Sequence, residues 1–433
     1  MTYQKTARER LAQTAEMNFR NEWRAFGAPQ RLLLAVSGGS DSMALMHLAA
    51  PLRSAGANIR VATIDHGLRP AAYADARFVA AAAATLNIPA AILRWEGDKP
   101  ASGVQAAARA ARYRLLAQEA ECWRADAILT AHTADDQAET VLMRMARRSS
   151  ARGLAGMARE TLIADGAGAP QRLLRPLLGW RRAALRVLLA SDGFAFIDDP
   201  SNDDARFERV RIRARLARMG GGGESANKAL LDLASHAASL RGAVERLEAA
   251  RFAAAQGEFF SDGSVRLAAA ALTPTQDAGL VVRLVGAVSG SDYFPDDDAA
   301  GAVLGAALKG GRGSLGGAIV ERAGRALDIM REPAGVLGRR GERGLAPITL
   351  EPGARLLWDR RFIILNPFDT AAQVRAIGAA ANRLGSERRA ALSAAPGLWR
   401  NGALAAFPGD DGAGEHVFLS LAGERFWRRV VRF

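Results

Sequence analysis

The sequence predicts an α/β fold class: a doubly wound parallel sheet, then a small helical domain and a small mixed C-terminal domain. Three observations predict it. Short apolar runs alternate with helix-like segments over the first half of the chain. A run of glycines, Gly220–Gly223, breaks the pattern near mid-chain. From about Pro347 the texture changes to short strand-like pieces such as Phe362–Leu365 and His416–Leu421. At 433 residues the chain is long for one domain and suits two or three. The expected divisions are 1–219, 224–332 and 345–433.

The first domain reads strand by strand. Arg31–Ser37 (RLLLAVS) is an apolar run ending in Gly38-Gly39, and a helical pattern follows from Asp41 to about Ala50. Ile59–His66 is a second strand and Tyr73–Leu86 a helix. Ala90–Trp95 is a third strand, and the arginine-rich segment Gln105–Trp123 is helical. Asp126–His132 is a fourth strand, followed by a helix from about Asp135 to Arg148. Nearly continuous apolar strands alternating with helices imply a parallel sheet covered on both faces. Arg175–Leu178 reads as a short extended piece, and Ile197–Asp204 as a polar turn around Pro200. Beyond the glycine linker, Leu230, Leu233, Ala237, Leu240, Val244 and Leu247 recur at helical spacing, which predicts a buried stripe.

Composition narrows the partners. Hydrophobic residues make up 49% and charged residues 24%, the balance of a soluble globular protein. Net charge is +13, and because lysine occurs only at Lys5, Lys99, Lys228 and Lys309, nearly all basic residues are arginine. The excess of positive charge favours a polyanionic partner. Cys122 is the only cysteine, so the chain holds no internal disulfide and no cysteine-based zinc or iron–sulfur site. Its place in the Gln105–Trp123 helix suits a small buried residue. The first residues read as a polar helix, not a signal peptide, and Phe78–Leu93 is too short and too weakly apolar to span a membrane. The expected location is the cytoplasm, and no protein partner is indicated.

The strongest local signal is Ser37-Gly38-Gly39-Ser40-Asp41-Ser42, between the first strand and the first sheet helix. Glycines let backbone N–H groups approach phosphate oxygens, and a helix N-terminus adds donors and positive partial charge. Ser37, Ser40 and Ser42 add hydroxyls. Asp41 is out of place for an anion alone but fits as a ligand for magnesium carried by ATP. The plainer alternative is a glycine turn capped by Ser40 or Asp41. No GxxxxGK[ST] occurs and no lysine lies near this loop, which argues against ordinary P-loop chemistry.

A second signal is Ala131-His132-Thr133-Ala134-Asp135-Asp136-Gln137-Ala138-Glu139-Thr140, entering a helix from a strand end. Asp136, Glu139 and Met143 share one helical face; Ala138, Val141, Leu142 and Met145 form the other, expected against the sheet. The carboxylates then lie where ligands bind in doubly wound sheets. They suit magnesium or a substrate ammonium; the plainer alternative is that Asp135 and Asp136 merely complement the helix dipole.

With these motifs in order, the chain resembles the tRNA(Ile)-lysidine synthetase family of the ATP-pyrophosphatase (PP-loop) superfamily. The resemblance rests on SGGSDS, Asp65-His66-Gly67-Leu68-Arg69, Ala108–Tyr113 (ARAARY), HTADDQAET, Gly153–Met157 (GLAGM), Arg175-Pro176-Leu177-Leu178 and Asp199-Pro200-Ser201-Asn202. Leu315-Gly316-Gly317 weakly echoes the family's second domain. The resemblance implies an adenine nucleotide alpha hydrolase-like fold and a two-step reaction. ATP adenylates the C2 carbonyl oxygen of the wobble cytidine of tRNA(Ile) with a CAU anticodon, releasing diphosphate. Free L-lysine then displaces AMP through its ε-amine. By position, Ser37, Gly38, Gly39, Ser40, Asp41 and Ser42 bind ATP. Asp41 and Asp136 bear on Mg2+, Glu139 and Asp136 face magnesium and the lysine, and Arg112, beside Arg109, lies near the substrate. The chain departs from the family pattern at Arg147-Arg148-Ser149-Ser150, at Val210 and at Gln105. The alternative reading is a PP-loop tRNA thiolase or another adenylating synthetase.

Other residues carry weaker signals. His66 and His132 end strands near the cleft, as active-site residues or as backbone-bonded histidines; His47 suits packing. Arg206, Arg209, Arg211, Arg213, Arg215 and Arg218 form either a tRNA contact or a solvated helix face. Arg425, Arg428, Arg429 and Arg432 interleave with Phe426, Trp427 and Phe433, which reads as a final strand with some RNA contact.

Overall fold

The computed structural model describes residues 2–68, 71–97, 99–100, 102–147, 151–163, 170–198, 208–219, 224–291, 295–339, 344–384, 388–410, 417–427 and 430–431. Arg69, Arg148–Ser150, Asp199–Asn202, Arg206, Gly220–Gly223, His416, Arg428, Arg429, Arg432 and Phe433 lie outside the described residues. The chain forms two compact units. One comprises Met1–Ile163, Pro170–Ala243 and Val431–Phe433, and the other chiefly Val244–Val430.

The first unit is built on one sheet. Its strands are β1 (Arg31–Ala35), β2 (Asn58–Asp65), β3 (Ala90–Arg94), β4 (Ala127–Leu129), β5 (Glu160–Ile163) and β6 (Gln171–Leu174), in the order β5-β6-β4-β1-β2-β3. A two-residue strand, Val430–Val431, lies beside β5. All pairings from β6 to β3 are parallel, and β5 is antiparallel to β6. The helices are α1 (Thr2–Ala25), α2 (Ser40–Ala49), α3 (Ala72–Thr85), α4 (Val104–Cys122), α5 (Ala134–Ala146), α6 (Ala151–Leu154), α7 (Arg182–Asp192) and α8 (Glu208–Arg218).

Period-two alternation in β1 sorts the two layers. Leu32 and Leu34 pack into a core with Phe19 and Trp23 of α1, Met43 and Met46 of α2, and Leu185 and Leu189 of α7. Leu33 points the other way, to Tyr113, Leu116 and Ala120 of α4. The sheet is therefore covered on both faces, as a near-continuous apolar strand requires. β1 leads outward to β2 and β3, and the chain then crosses back to β4 on β1's other side. That reversal opens a crevice at the carboxyl ends of β1 and β4, where open α/β sheets bind ligands.

Local corrections follow from chemistry the patterns did not carry. Where an extended piece was expected over Arg175–Leu178, Arg175 N–H still pairs with Arg159 O (2.9 Å) but residues 176–179 turn; Pro176 has no N–H to continue the β6 ladder. The GLAGM segment turns back under α5: Gln137 Nε2 donates to Met157 O (3.0 Å) and Met157 N–H donates to Gln137 Oε1 (2.7 Å). Arg144 Nη1 donates to Gly153 O and Gly156 O. Ala138, expected against the sheet, instead packs on Ile212 and Leu216 of α8, and Met145 is exposed. Cys122 is exposed at the last residue of α4, not buried.

The second unit begins within α9 (Glu224–Ala254). The expected apolar stripe of α9 is not buried: Leu240 and Leu247 are exposed, while Ala234, Glu248 and Phe252 are covered. Besides α10 (Pro274–Ser289) and α11 (Asp297–Leu308), the segment expected to be helical holds an antiparallel five-stranded sheet. Its strands are β7 (Glu258–Phe259), β8 (Val265–Ala268), β9 (Arg312–Leu315), β10 (Ala318–Ala323) and β11 (Ala326–Arg331). Gly316 and Gly317, at φ of 54° and 80°, close the two-residue β9–β10 hairpin, which demands positive φ at both central positions. A four-stranded and a three-stranded sheet follow between Ile348 and Ser420. Near the C-terminus Ala422–Trp427 is helical, with Phe426 buried and Arg425 Nη2 donating to Ser291 O (2.9 Å). Arg425 therefore serves the fold, and among the described residues of this tail the strand is Val430–Val431.

Candidate active site

SGGSDS sits in the β1/β4 crevice as the β1–α2 turn. Gly38 takes φ +92°, and a Cβ there would stand 2.8 Å from Ile197 Cδ1 and 3.4 Å from Val79 Cγ2, so the position needs glycine on both counts. Gly39 is the N-cap of α2 and supplies no side-chain cap. The first-turn amides of α2 thus keep their donors for an external acceptor. Ser42 shapes the turn: its Oγ donates to Gly39 O (2.9 Å) and accepts from Ser37 N–H (3.1 Å).

The β4–α5 turn is capped instead. Thr133 Oγ1 and Asp136 form a reciprocal capping box, and Asp136 Oδ2 accepts from Thr133 N–H (2.8 Å) and Oγ1 (2.9 Å). Asp136 Oδ1 remains for the crevice. Asp135 and Asp136 both lie in the first turn of α5, where the helix-dipole alternative has them. Asp136 caps its own helix and also faces outward, whereas Asp135 ties α5 to α7, accepting from Arg182 N–H (2.8 Å) and from Arg181.

Three predicted residues converge on one guanidinium. Arg182, in the first turn of α7, donates through Nε to Asp41 Oδ2 (2.8 Å) and through Nη2 to Asp136 Oδ1 (3.1 Å), and its Nη1 lies 3.8 Å from Glu139 Oε1. Arg213 of α8 reaches the same Glu139 oxygen at 3.0 Å. Glu139 is 2% exposed, and among the described residues its buried Oε2 has no hydrogen-bond partner. Arg186, one turn on from Arg182, donates to Ser40 Oγ (3.3 Å) and Asp198 Oδ1 (2.7 Å). The cations that SGGSDS lacks in sequence are thus delivered by α7.

A scan against protein families matches the PP-loop domain over residues 7–219. A tRNA(Ile)-lysidine synthase from Ruegeria pomeroyi is 37% identical over 391 residues, covering 88% of each chain. One from Mesorhizobium japonicum is 40% identical over 385 residues, covering 84% of this chain and 81% of the relative. One from Rhodopseudomonas palustris is 48% identical over 243 residues, covering 55% of this chain and 68% of the relative. The chain belongs to the tRNA(Ile)-lysidine synthase family.

Within this lysidine synthase frame the site is electrostatically divided. Burial raises the Asp41 carboxyl above its ordinary range against the pull of Arg182, and burial likewise raises Glu139 against Arg213. Burial also acts on Asp136, but Arg182, the Thr133 N–H and His132 together hold it below the ordinary carboxylate range. Arg112 is not part of this junction: its Nη2 lies 3.4 Å from His66 Nε2. The residue keeps an exposed surface, yet crowding of its guanidinium lowers its pKa, and Arg109 and Arg209 add to the effect. Burial and then Arg112 push His66 down to about 4. Burial and then Arg175 push His132 down to about 3, and its Nδ1 lies 3.0 Å from Thr130 Oγ1. Both histidines are neutral at pH 7 and both bond to side chains. His47 pairs with Asp192 at 2.7 Å and serves packing between α2 and the end of α7.

The carboxylates are hard oxygen donors of the kind Mg2+ takes. Among the described residues no group of three metal-ligating side chains is assembled, because Arg182 stands among the three acids. A cation there would share Asp41 and Asp136 with ATP oxygens rather than find a closed cage.

Sequence reasoning missed Arg182 and Arg186. A signal was present: Arg181-Arg182 opens a helix, where the dipole disfavours cations unless a partner compensates.

Proposed function

We propose that the protein ligates lysine to C2 of the wobble cytidine of CAU-anticodon tRNA(Ile), using ATP and releasing AMP and diphosphate. The observation that carries this reading is the convergence of Asp41, Asp136 and Glu139 beside the uncapped N-terminus of α2. In it, Ser37–Ser42 bind the phosphates of ATP, and Asp41 and Asp136 hold Mg2+. Glu139 and Asp136 attract the lysine ammonium, and Arg112 contacts substrate across the crevice. Donors fixed before reaction stabilise charge as it develops on the phosphate. We assign 1–219 to catalysis, 224–332 to tRNA contact and 345–433 to a small mixed C-terminal domain, with the reaction in the cytoplasm. Among the described residues no helix is long and apolar enough to cross a membrane.

Cys122 weighs against thiolation. It ends α4, just before β4, at the amino edge of the sheet, where Arg31 at the start of β1 donates to Trp123 O. SGGSDS follows β1 at the opposite, carboxyl edge. A sulfur carrier would have to reach the nucleotide across the sheet. The test is incubation with ATP, labelled lysine and tRNA(Ile) transcript. ATP-dependent transfer of label to tRNA is expected, and its absence with folded protein would overturn the reading.

A further inference from the structure

We propose that Arg182 is an exchangeable cation: in the empty site it holds Asp41, Asp136 and Glu139, and on nucleotide binding it passes to the polyphosphate while a divalent cation takes its carboxylates. The inference rests on the reading that ATP binds at SGGSDS and adds a role for a residue outside that loop.

Four observations support it. Arg182 touches both sides of the crevice, reaching Asp41 of the loop at 2.8 Å and Asp136 of α5 at 3.1 Å. Its backbone is pinned, since Arg182 N–H donates to Asp135 Oδ2 at 2.8 Å, so a change of partner needs only side-chain rotation. Among the described residues three carboxylates face Arg182 and Arg213, and Glu139 Oε2 is buried without a hydrogen-bond partner. Arg186 already reaches Ser40 Oγ from the same face of α7, so the helix presents two guanidiniums towards the loop.

The chemistry favours exchange over static binding. A guanidinium fork matches carboxylate and phosphate oxygens equally well. A divalent cation prefers the carboxylates, and its charge repels a guanidinium held on the same acids. Bound nucleotide supplies the anion that Arg182 needs when it leaves the acids. Each charge then keeps a partner through the exchange, and no buried ion is left unpaired.

The test uses the full chain without tRNA or lysine, so its outcome is separate from whether the protein makes lysidine. Mn2+ binding is titrated by electron paramagnetic resonance in the absence of nucleotide, and ATP binding by calorimetry at saturating Mg2+. The proteins are wild type, Arg182→Met, Arg182→Lys and the double variant Arg182→Met/Asp136→Asn. Arg182→Met should bind Mn2+ at least tenfold tighter and ATP at least tenfold more weakly. The double variant should lose the Mn2+ gain, and Arg182→Lys should fall between in both titrations. Opposite signs are the signature. Weakening of both ligands would make Arg182 a scaffold only and overturn the proposal. So would unchanged Mn2+ affinity with weaker ATP, the mark of a fixed phosphate contact. Tighter Mn2+ with ATP unaffected would overturn it too, leaving a plug with no part in nucleotide binding. Should Arg182→Met not fold, Arg182→Lys decides by the same signs.

Discussion

Gly38→Ala tests the nucleotide loop most directly, because its cost can be built from geometry. Gly38 sits at φ +92°, where an L side chain meets its own backbone at about 1–2 kcal/mol. The new methyl would also stand 2.8 Å from Ile197 Cδ1. That methyl can swing away, but Ile197 N–H donates to Gly38 O at 2.9 Å and holds the residue in place. Overpacking of this kind adds roughly 1 kcal/mol. The first unit should therefore lose about 2–3 kcal/mol in urea denaturation, by the sum of these two effects. Because the amides at the start of α2 would be re-aimed, ATP affinity by calorimetry should fall at least about tenfold, the equivalent of 1.4 kcal/mol. Adding Ile197→Ala should recover the overpacking part and not the backbone part. A Gly38→Ala protein with wild-type denaturation and ATP affinity would refute the reasoning.

Other predictions follow from the same contacts. Glu139→Gln keeps the shape and loses the charge, so in steady-state kinetics it should raise the requirement for lysine more than that for ATP; a selective rise for ATP would move Glu139 to the magnesium site. His132 is held neutral, with its pKa near 3 against 6.5 unfolded. The unfolded chain therefore binds a proton that the native one refuses, and stability falls as pH drops through 6.5 toward 3. Between pH 7 and 5 wild type should lose at most about 2 kcal/mol more than His132→Gln in urea denaturation, and equal losses would contradict the assignment. Affinity for tRNA should weaken steeply between low and physiological salt, as arginines displace counterions; a flat dependence by filter binding would remove the basic-surface argument. Cys122→Ser, at an exposed helix end, should leave both melting temperature and lysine transfer near wild type, and a folded variant that has lost tRNA modification would revive thiolation.

What was legible in the sequence had local causes. The first-unit strands show as apolar runs because a parallel sheet buries both faces, and SGGSDS shows because backbone approach to phosphate demands glycine. The β7–β11 sheet was not legible. β10 buries three consecutive residues, Ala318–Val320, and β11 four, Leu327–Met330, so neither alternates, and the helices α10 and α11 dominate the pattern around them. The α9 stripe failed for the opposite reason. Periodicity reveals an apolar face but not whether another element covers it, and Leu240 and Leu247 are left open. In the site, the three carboxylates were found because each lies in or beside a strand-end motif. Arg182 was not, because its meaning depends on Asp41 and Asp136, which lie 141 and 46 residues away in sequence.

That long-range dependence bears on how the empty site persists. Three carboxylates drawn together in a crevice would, without partners, take up protons or repel one another. Burial does raise Asp41 and Glu139, and only Asp136, with Arg182 and the Thr133 cap together, is held below its ordinary range. The arginines on α7 and α8 offset the repulsion and keep the acids placed before any ligand arrives. The arrangement also explains why these cations come from helices that follow the sheet motifs rather than from the loop itself. A lysine inside SGGSDS would neutralise Asp41 permanently, whereas a guanidinium on a separate helix can hold the acids when the site is empty and yield them when it is not. On the exchange proposed for Arg182, ligand entry becomes a swap of ion pairs among acids that already stand in place.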